Sequence, residues 1–173
     1  MIEIQIKLID QDLPMPRYQH EGDAGLDLPS RIDLVLDPGE RATIPTGIAV
    51  AIPRGYAGFV LPRSGLASRY GIALVNSPGL VDSGYRGEMA IVLINTDKRE
   101  PFQIKRGDRI AQLVIQKVVE ATTVQVSELD ATSRGESGFG STDNERLKKV
   151  SDQEPGERWS GTSVIAGATL CGR

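Results

Sequence analysis

The stretch Asn76-Ser-Pro-Gly-Leu-Val-Asp-Ser-Gly-Tyr-Arg-Gly-Glu88 lies between two apolar runs, residues 71–75 and 89–94. Asparagine, serine, proline and glycine are typical turn residues, so this stretch is predicted to form the tip of a β-hairpin. The tip also carries a carboxylate and a phenol, and Asp82 and Tyr85 are therefore candidate functional residues. In an isolated turn, an aspartate that only bonds its own backbone is the commoner interpretation. Other segments have to decide between the two.

Short apolar runs on both sides of this hairpin predict strands along most of the chain. Ile2, Ile4, Ile6 and Leu8 alternate with polar residues, and this period of two predicts a strand with one face in the core. Ten prolines and nineteen glycines supply turns between the runs. The pattern predicts an all-β barrel or sandwich. Further strands are predicted at residues 31–36, 41–44, 47–52, 58–61, 102–104, 110–119 and 122–126.

One segment before residue 130 has a helical pattern, residues 62–71. Ser64 is the predicted N-cap, and Gly71 is the residue expected just beyond the last turn. Free backbone N–H groups beside Arg63 would make this helix an anion site. A small helix that only seals the end of a barrel explains the segment equally well.

The character of the chain changes after residue 126. Residues 127–142 are polar and rich in glycine, so we expect them to be a flexible arm that builds no core of its own. Such a backbone, with two hydroxyl groups, can wrap phosphates, although a plain linker is the commoner meaning of glycine and serine. We therefore divide the chain into a barrel at 1–126, an arm at 127–142 and a flexible extension at 143–173.

Composition limits the classes of function. The chain has 173 residues, one cysteine and a formal net charge of −3. A lone cysteine allows no internal disulfide, which fits a cytoplasmic protein, and no apolar run predicts a membrane span. The negative net charge argues against a general nucleic-acid binder. The single histidine, His20, is expected on a surface loop and gives no basis for a metal cluster.

Five motifs lie in order along the chain: Ala24-Gly-Leu-Asp-Leu28, Pro62-Arg-Ser-Gly-Leu-Ala67, Gly79-Leu-Val-Asp-Ser-Gly-Tyr-Arg-Gly-Glu88, Arg106-Gly-Asp-Arg-Ile-Ala-Gln-Leu113 and Arg134-Gly-Glu-Ser-Gly-Phe-Gly-Ser-Thr142. In this order they resemble the motifs of the trimeric dUTPase family. The resemblance covers residues 22–142 and implies a distorted jelly-roll-like β-barrel of the β-clip type with one short helix. It also implies a homotrimer whose active sites are shared between subunits.

The resemblance implies hydrolysis of dUTP to dUMP and pyrophosphate, which keeps uracil out of DNA and supplies dUMP for dTMP synthesis. Asp82 would activate the water that attacks the α-phosphorus. Tyr85 would lie against the deoxyribose and leave no room for a 2′-hydroxyl. The uracil base would be bound by Asn76, Leu80, Val81 and Ala90.

By the same resemblance, the triphosphate belongs to the other motifs. Asp27 would hold the waters around Mg²⁺, which sheds its hydration shell reluctantly. Arg134 would pin the closing arm, and Phe139 would stack on uracil. The remaining implied phosphate ligands are Arg63, Ser64, Gly65, Gln112, Ser141 and Thr142.

Two other functions stay open at this point. A dCTP deaminase shares the implied fold, and the pairing of Asp82 with Tyr85 favours dUTP hydrolysis over it. A regulatory protein could instead use the nucleotide-bound trimer to bind a protein partner. Residues 143–173 lie beyond the resemblance and are the one feature that points to such a partner.

Overall fold

A computed structural model describes residues 2–136 of the chain. Contacts divide the chain into two compact units, Met1–Thr123 and Val124–Arg173. In the second unit, the described residues 124–136 are exposed and contain no helix or strand. No helix in the described part of the chain is long and apolar enough to cross a membrane.

The fold of the first unit is all-β with one short helix, as predicted. Every strand pair is antiparallel, and the strands form four sheets in the orders β2-β11-β6-β8, β4-β9-β7, β1-β5 and β10-β3. The elements are β1 Gln5–Leu8, β2 Leu26–Pro29, β3 Leu34–Leu36, β4 Arg41–Pro45, β5 Ile48–Ala51, β6 Tyr56–Leu61, α1 Ser64–Tyr70, β7 Ile72–Leu74, β8 Gly79–Val81, β9 Ala90–Asn95, β10 Phe102–Ile104 and β11 Arg109–Lys117.

The core draws its buried residues from all four sheets. Strand β9 alternates, with Ile91, Leu93 and Asn95 buried and the residues between them more exposed. This alternation places one face of the strand against the core, which stabilises the fold by removing apolar surface from water. The largest fully buried side chains are Leu28, Leu36, Ile44, Ile48, Ile72, Ile91, Leu93, Ile104, Ile110, Leu113, Val50 and Asn95.

The predicted hairpin is confirmed in its arms and differs at its tip. Strands β7 and β9 pair, with Ile72 opposite Asn95. Residues 79–81, which the sequence placed in the tip, form strand β8 and pair with β6 of the other sheet. Gly79 permits this approach, because a Cβ there would lie 3.3 Å from the Val60 side chain. The connection therefore crosses from one sheet to the other.

The helix ends as predicted and begins differently. Gly71 has a left-handed φ of 65°, and its N–H donates to the last turn of the helix. The prediction of Ser64 as N-cap is wrong: Arg63 is the N-cap, its side chain makes no cap bond, and its carbonyl accepts the first helical bonds. Ser64 is the first helical residue.

Two other strand predictions need correction, and one strand was not predicted. The strand at 122–126 is wrong, since these residues are exposed and pair with nothing in the described chain. Strand β1 begins only at Gln5, and its face is half-buried, because it pairs with β5 alone and Ile2 remains 46% exposed. Strand β2 was missed, and it places Asp27 in a ladder opposite Gln112 of β11.

Asn95 is a polar residue that is fully buried in the core. Its side-chain amide donates to the carbonyls of Leu36 and Glu100 at 3.0 and 2.9 Å, and its Oδ1 accepts the Asp97 N–H at 2.9 Å. Replacing Asn95 with alanine leaves these groups without partners, so we expect the free energy of unfolding in urea to fall by about 2–4 kcal/mol. The exposed Gln103, replaced by alanine, should change it by about 0.5 kcal/mol or less. Equal effects of the two substitutions would contradict this role.

Candidate functional site

A cleft of about 700 Å³ is lined by five of the residues predicted to bind phosphate or hydrated magnesium. Strand β2 contributes Asp27, strand β11 contributes Gln112, and the segment at the start of α1 contributes Arg63, Ser64 and Gly65. These residues are far apart in the sequence, and the pairing of β11 with both β2 and β6 brings them together. We call this the phosphate-end cleft.

Asp27 is held between two arginines in this cleft. Its Oδ1 lies 3.0 Å from Arg63 Nε, and its Oδ2 lies 3.0 Å from Arg109 Nη1. Arg63 Nη1 also donates to the Arg109 carbonyl at 2.8 Å, which closes the group into a triangle. The aspartate side chain is only 14% exposed, so the two guanidinium groups fix its orientation.

Sequence reasoning missed Arg109 as a site residue. It lies within the fourth motif, but nothing in the local pattern separates it from any other exposed cation at the start of a strand. Only the pairing of β11 with β2 shows that Arg109 lies near Asp27. In this pairing, Arg109 is opposite Pro29, at the end of the short strand that carries Asp27.

The phosphate-end cleft offers one carboxylate, that of Asp27, to the implied magnesium ion. Among the described residues, no three histidine, cysteine or acidic side chains lie close enough to form a metal cage. A carboxylate has about four lone-pair sites, and the bonds from Arg63 and Arg109 leave Asp27 free capacity to accept from water. The site therefore fits a hydrated ion held through water, and does not fit an ion bound by protein ligands alone.

Gln112 occupies the middle of the four-stranded sheet. It lies opposite Asp27 on β2 and Leu61 on β6, so it is not the satisfied edge residue that a lone strand glutamine usually is. Its Nε2 donates to the Pro62 carbonyl at 2.9 Å. Gly25 makes room for it, because a Cβ at residue 25 would lie 2.6 Å from Gln112 Oε1.

His20 is exposed, as predicted, and it also lines the phosphate-end cleft. Asp23 shapes this turn, since its Oδ2 accepts the N–H groups of Gln19 and His20 at 3.1 and 2.8 Å. The basic side chain of Arg69 lies along the same cleft. Neither His20 nor Arg69 was singled out as a ligand from the sequence.

The hairpin residues line a second cleft of about 250 Å³. It contains Leu80, Val81, Asp82, Tyr85 and Ala90. A smaller pocket of about 60 Å³ beside it adds Asn76 to the same group. Within residues 2–136, the structure thus brings together the residues of the hairpin region that were predicted to bind the nucleoside or to activate water. We call this the nucleoside-end cleft.

Asp82 has an exposed carboxylate that is free of hydrogen bonds within residues 2–136. The backbone makes the turn instead: the Asp82 carbonyl accepts the Tyr85 N–H at 3.1 Å. The turn interpretation therefore explains the position of this residue but leaves its side chain available. Tyr85 is 45% exposed, and its phenol donates to the Glu88 carbonyl at 2.8 Å.

Among the residues that the structure describes, none lines both the phosphate-end cleft and the nucleoside-end cleft. One chain therefore holds the predicted site in two separate parts. Arg134 belongs to the second compact unit, where it lies beside the turn closed by the bond from Gly135 N–H to Thr132. Phe139, Ser141 and Thr142 lie outside the described residues, as does the extension from residue 143.

Comparison with known proteins identifies the family. The family model described as dUTPase matches residues 11–143. The chain belongs to the dUTPase family. All five motifs that carried the resemblance fall within the matched range.

Curated bacterial relatives extend this match. The chain is 58% identical over 141 residues to deoxyuridine 5′-triphosphate nucleotidohydrolase of Thermobifida fusca, covering 82% of this chain and 79% of the relative. It is 53% identical over 142 residues to the protein of the same name from Cutibacterium acnes, covering 82% of this chain and 93% of the relative.

Solved structures of the family have the same fold. A variant of the Staphylococcus bacteriophage 80alpha dUTPase with dUpNHpp matches with a TM-score of 0.75 and 33% identity, covering 82% of this chain and 98% of that one. A variant of the dUTPase from phage phi11 of S. aureus, which coordinates a structural Mg(II) ion, matches with a TM-score of 0.67 and 32% identity, covering 73% and 98%. The jelly-roll-like fold expected for the family is therefore confirmed.

The close approach of Gly25 to Gln112 allows a test of the phosphate-end cleft. Replacing Gly25 with alanine would place a methyl group 2.6 Å from Gln112 Oε1, so the Gln112 side chain has to shift, and we expect this to disturb its bond to the Pro62 carbonyl. We expect affinity for dUpNHpp, measured by calorimetry, to fall by about tenfold. In a Gln112→Ala background the same change should have almost no further effect. A full additional loss there would show that Gly25 acts by another route.

Proposed function

We propose that this chain hydrolyses dUTP to dUMP and pyrophosphate as a homotrimer with active sites shared between subunits. The observation that carries the proposal is the division of the family's site residues between two separate clefts of one chain. Each cleft contains one functional half, and neither half suffices alone. A neighbouring copy would supply the missing half through a cyclic contact.

The nucleoside-end cleft would hold the base and the reacting water. Asp82 would take the proton of the water that attacks the α-phosphorus, a role that is supported by its exposed carboxylate, which no side chain of residues 2–136 pairs with. Tyr85 would pack on the deoxyribose. Uracil would be bound by the backbone of residues 80–81 with Asn76 and Ala90. Hydrogen bonds of this kind select against other bases, because a wrong base leaves buried polar groups unpaired.

The phosphate-end cleft would position the triphosphate. Phosphoryl transfer requires mainly positioning and charge stabilisation, and Arg63, Ser64, Gly65 and Gln112 would supply these. Asp27 would orient the waters of Mg²⁺. The bound ion would neutralise charge on the phosphate oxygens. Arg109 keeps Asp27 in place for this role, because it holds the carboxylate oxygen that Arg63 does not.

The glycine-rich arm would complete the site. Within the proposed division of 1–126, 127–142 and 143–173, Arg134 would contact the phosphates, Phe139 would stack on uracil, and Ser141 and Thr142 would close over the γ-phosphate. A cytoplasmic location is part of this proposal, since the single cysteine is typical of proteins from a reducing compartment.

Similarity to the named relatives supports this reading. Relatives at 53–58% identity are named deoxyuridine 5′-triphosphate nucleotidohydrolase, and the 80alpha phage relative was solved with a dUTP analogue. Phage dUTPases of this group are also described as controlling transfer of virulence genes. Binding of a protein partner through residues 143–173 stays a prediction for this chain.

Product analysis with the Asp82→Asn variant tests the reaction. We expect pyrophosphate release from dUTP, far less from dTTP, dCTP and UTP, and a fall in kcat of about 10²–10⁴-fold in the variant, because the base is lost. The variant should still bind dUpNHpp. Selective binding of dUTP without turnover by the unsubstituted chain would favour the nucleotide-gated regulatory protein, and ammonia release from dCTP would favour the deaminase.

Mixed trimers test whether the site is shared. Chains with Asp82→Asn and chains with Arg63→Ala are each expected to be inactive, because each lacks one half. If a site takes its halves from two subunits, random trimers from a 1:1 mixture contain intact sites at about a quarter of the total. We therefore expect about a quarter of the unsubstituted activity after co-refolding. No recovery in trimers whose mixed composition is verified by mass would contradict the shared site.

A further inference from the structure

The ring of Tyr85 lies against Gly87 and is hydrogen-bonded to Glu88, the two residues at the end of its own turn. Its phenol donates to the Glu88 carbonyl at 2.8 Å. A Cβ on Gly87 would lie 2.5 Å from the phenol oxygen and 2.7 Å from Cζ, so the ring folds back over residue 87. The position of the ring therefore depends on where residues 87 and 88 are held.

Glu88 is held by the turn between β4 and β5. Its Oε1 accepts the Gly47 N–H at 2.8 Å, and its Oε2 lies 3.3 Å from Arg31 Nη1. The next residue is tied to the same turn, because the Met89 N–H donates to Ile48 and the Met89 carbonyl accepts from Thr46. These bonds connect the hairpin to a rigid part of the barrel.

Arg31 is in turn fixed from its other side. Its Nε lies 3.6 Å from Asp10 Oδ2, and its backbone N–H donates to the Pro45 carbonyl at 2.8 Å. Burial raises the pKa of Asp10, but the hydrogen bonds from Arg106 and the Asp12 N–H, with the charges of Arg106 and Arg31, outweigh this and lower it. Asp10 thus stays ionised and keeps Arg31 in place.

We propose that Glu88 is a positioning residue for Tyr85, and that through this ring it sets how strongly the enzyme rejects a 2′-hydroxyl. The proposal rests on the proposed function. In it, the Arg31 guanidinium and the Gly47 N–H orient the Glu88 carboxylate, the anchored backbone presents its carbonyl to the phenol, and the ring is kept against the sugar. A ring that loses this anchor can move aside and admit a ribose.

The test is Glu88→Gln, which keeps the shape of the side chain. A glutamine has one oxygen, so it can accept from Gly47 or from Arg31, while its NH₂ group faces the other donor. We expect the ratio of kcat/KM for dUTP to kcat/KM for UTP to fall by about tenfold or more, with a smaller fall for dUTP itself. The phenol signal of Tyr85 in NMR should also broaden or shift.

Glu120→Gln is the matched control. Glu120 pairs with Arg54 at 2.8 Å on the exposed surface, away from both clefts, so the same chemical change there should leave the ratio unchanged. In a Tyr85→Phe background the phenol bond is absent, and Glu88→Gln should lower the ratio no further. If Glu88→Gln fails to assemble, Arg31→Gln tests the same clamp from the other side and should also lower the ratio.

An unchanged ratio in folded Glu88→Gln and Arg31→Gln, with dUTP and UTP affected equally, would overturn the proposal. So would an undiminished further loss of selectivity in the Tyr85→Phe background. The proposed function is tested separately by the unsubstituted chain. If that chain does not hydrolyse dUTP, the proposed function is wrong, and the role of Glu88 proposed here is wrong as well.

Discussion

Strand β11 forms a ladder with β2 on one edge and with β6 on the other, and the phosphate-end cleft depends on this double pairing. Residues opposite each other in a ladder share a face of the sheet, so Gln112 shares its face with Asp27 and Leu61. Burial of the flanking Ala111 and Leu113 fixes the register. A slip by one residue would turn Gln112 into the core and expose both apolar neighbours.

The charge of this cleft follows from the same pairing. Two guanidinium groups on one carboxylate leave the Asp27 group with an excess of positive charge, in a chain whose net charge is −3. The aspartate reduces repulsion between Arg63 and Arg109 and orients both. Local charge of this kind attracts a triphosphate although the whole protein is acidic.

Local patterns predicted much of the fold because local chemistry decides it. The alternation of residues in β9 and the left-handed Gly71 are set by neighbours in the sequence. Strand β8 was missed because its partner β6 lies about twenty residues earlier, across a helix and another strand. The run at 122–126 has strand-like composition and forms no strand, which shows that a strand requires a partner edge as well as suitable residues.

The candidate site also combines features set by neighbours in the sequence with features set by distant partners. The nucleoside-end cleft comes mostly from one continuous stretch of sequence, so its motif could be read directly. The supporting Arg31 and Arg109 contact residues that are far away in the sequence, and no local pattern shows these contacts. The largest gap between sequence and site is the separation of the two clefts within one chain. In the proposed trimer, one cyclic contact repeated three times would complete all three sites together. Assembly would then be a condition for catalysis, because an isolated subunit has both halves and cannot join them.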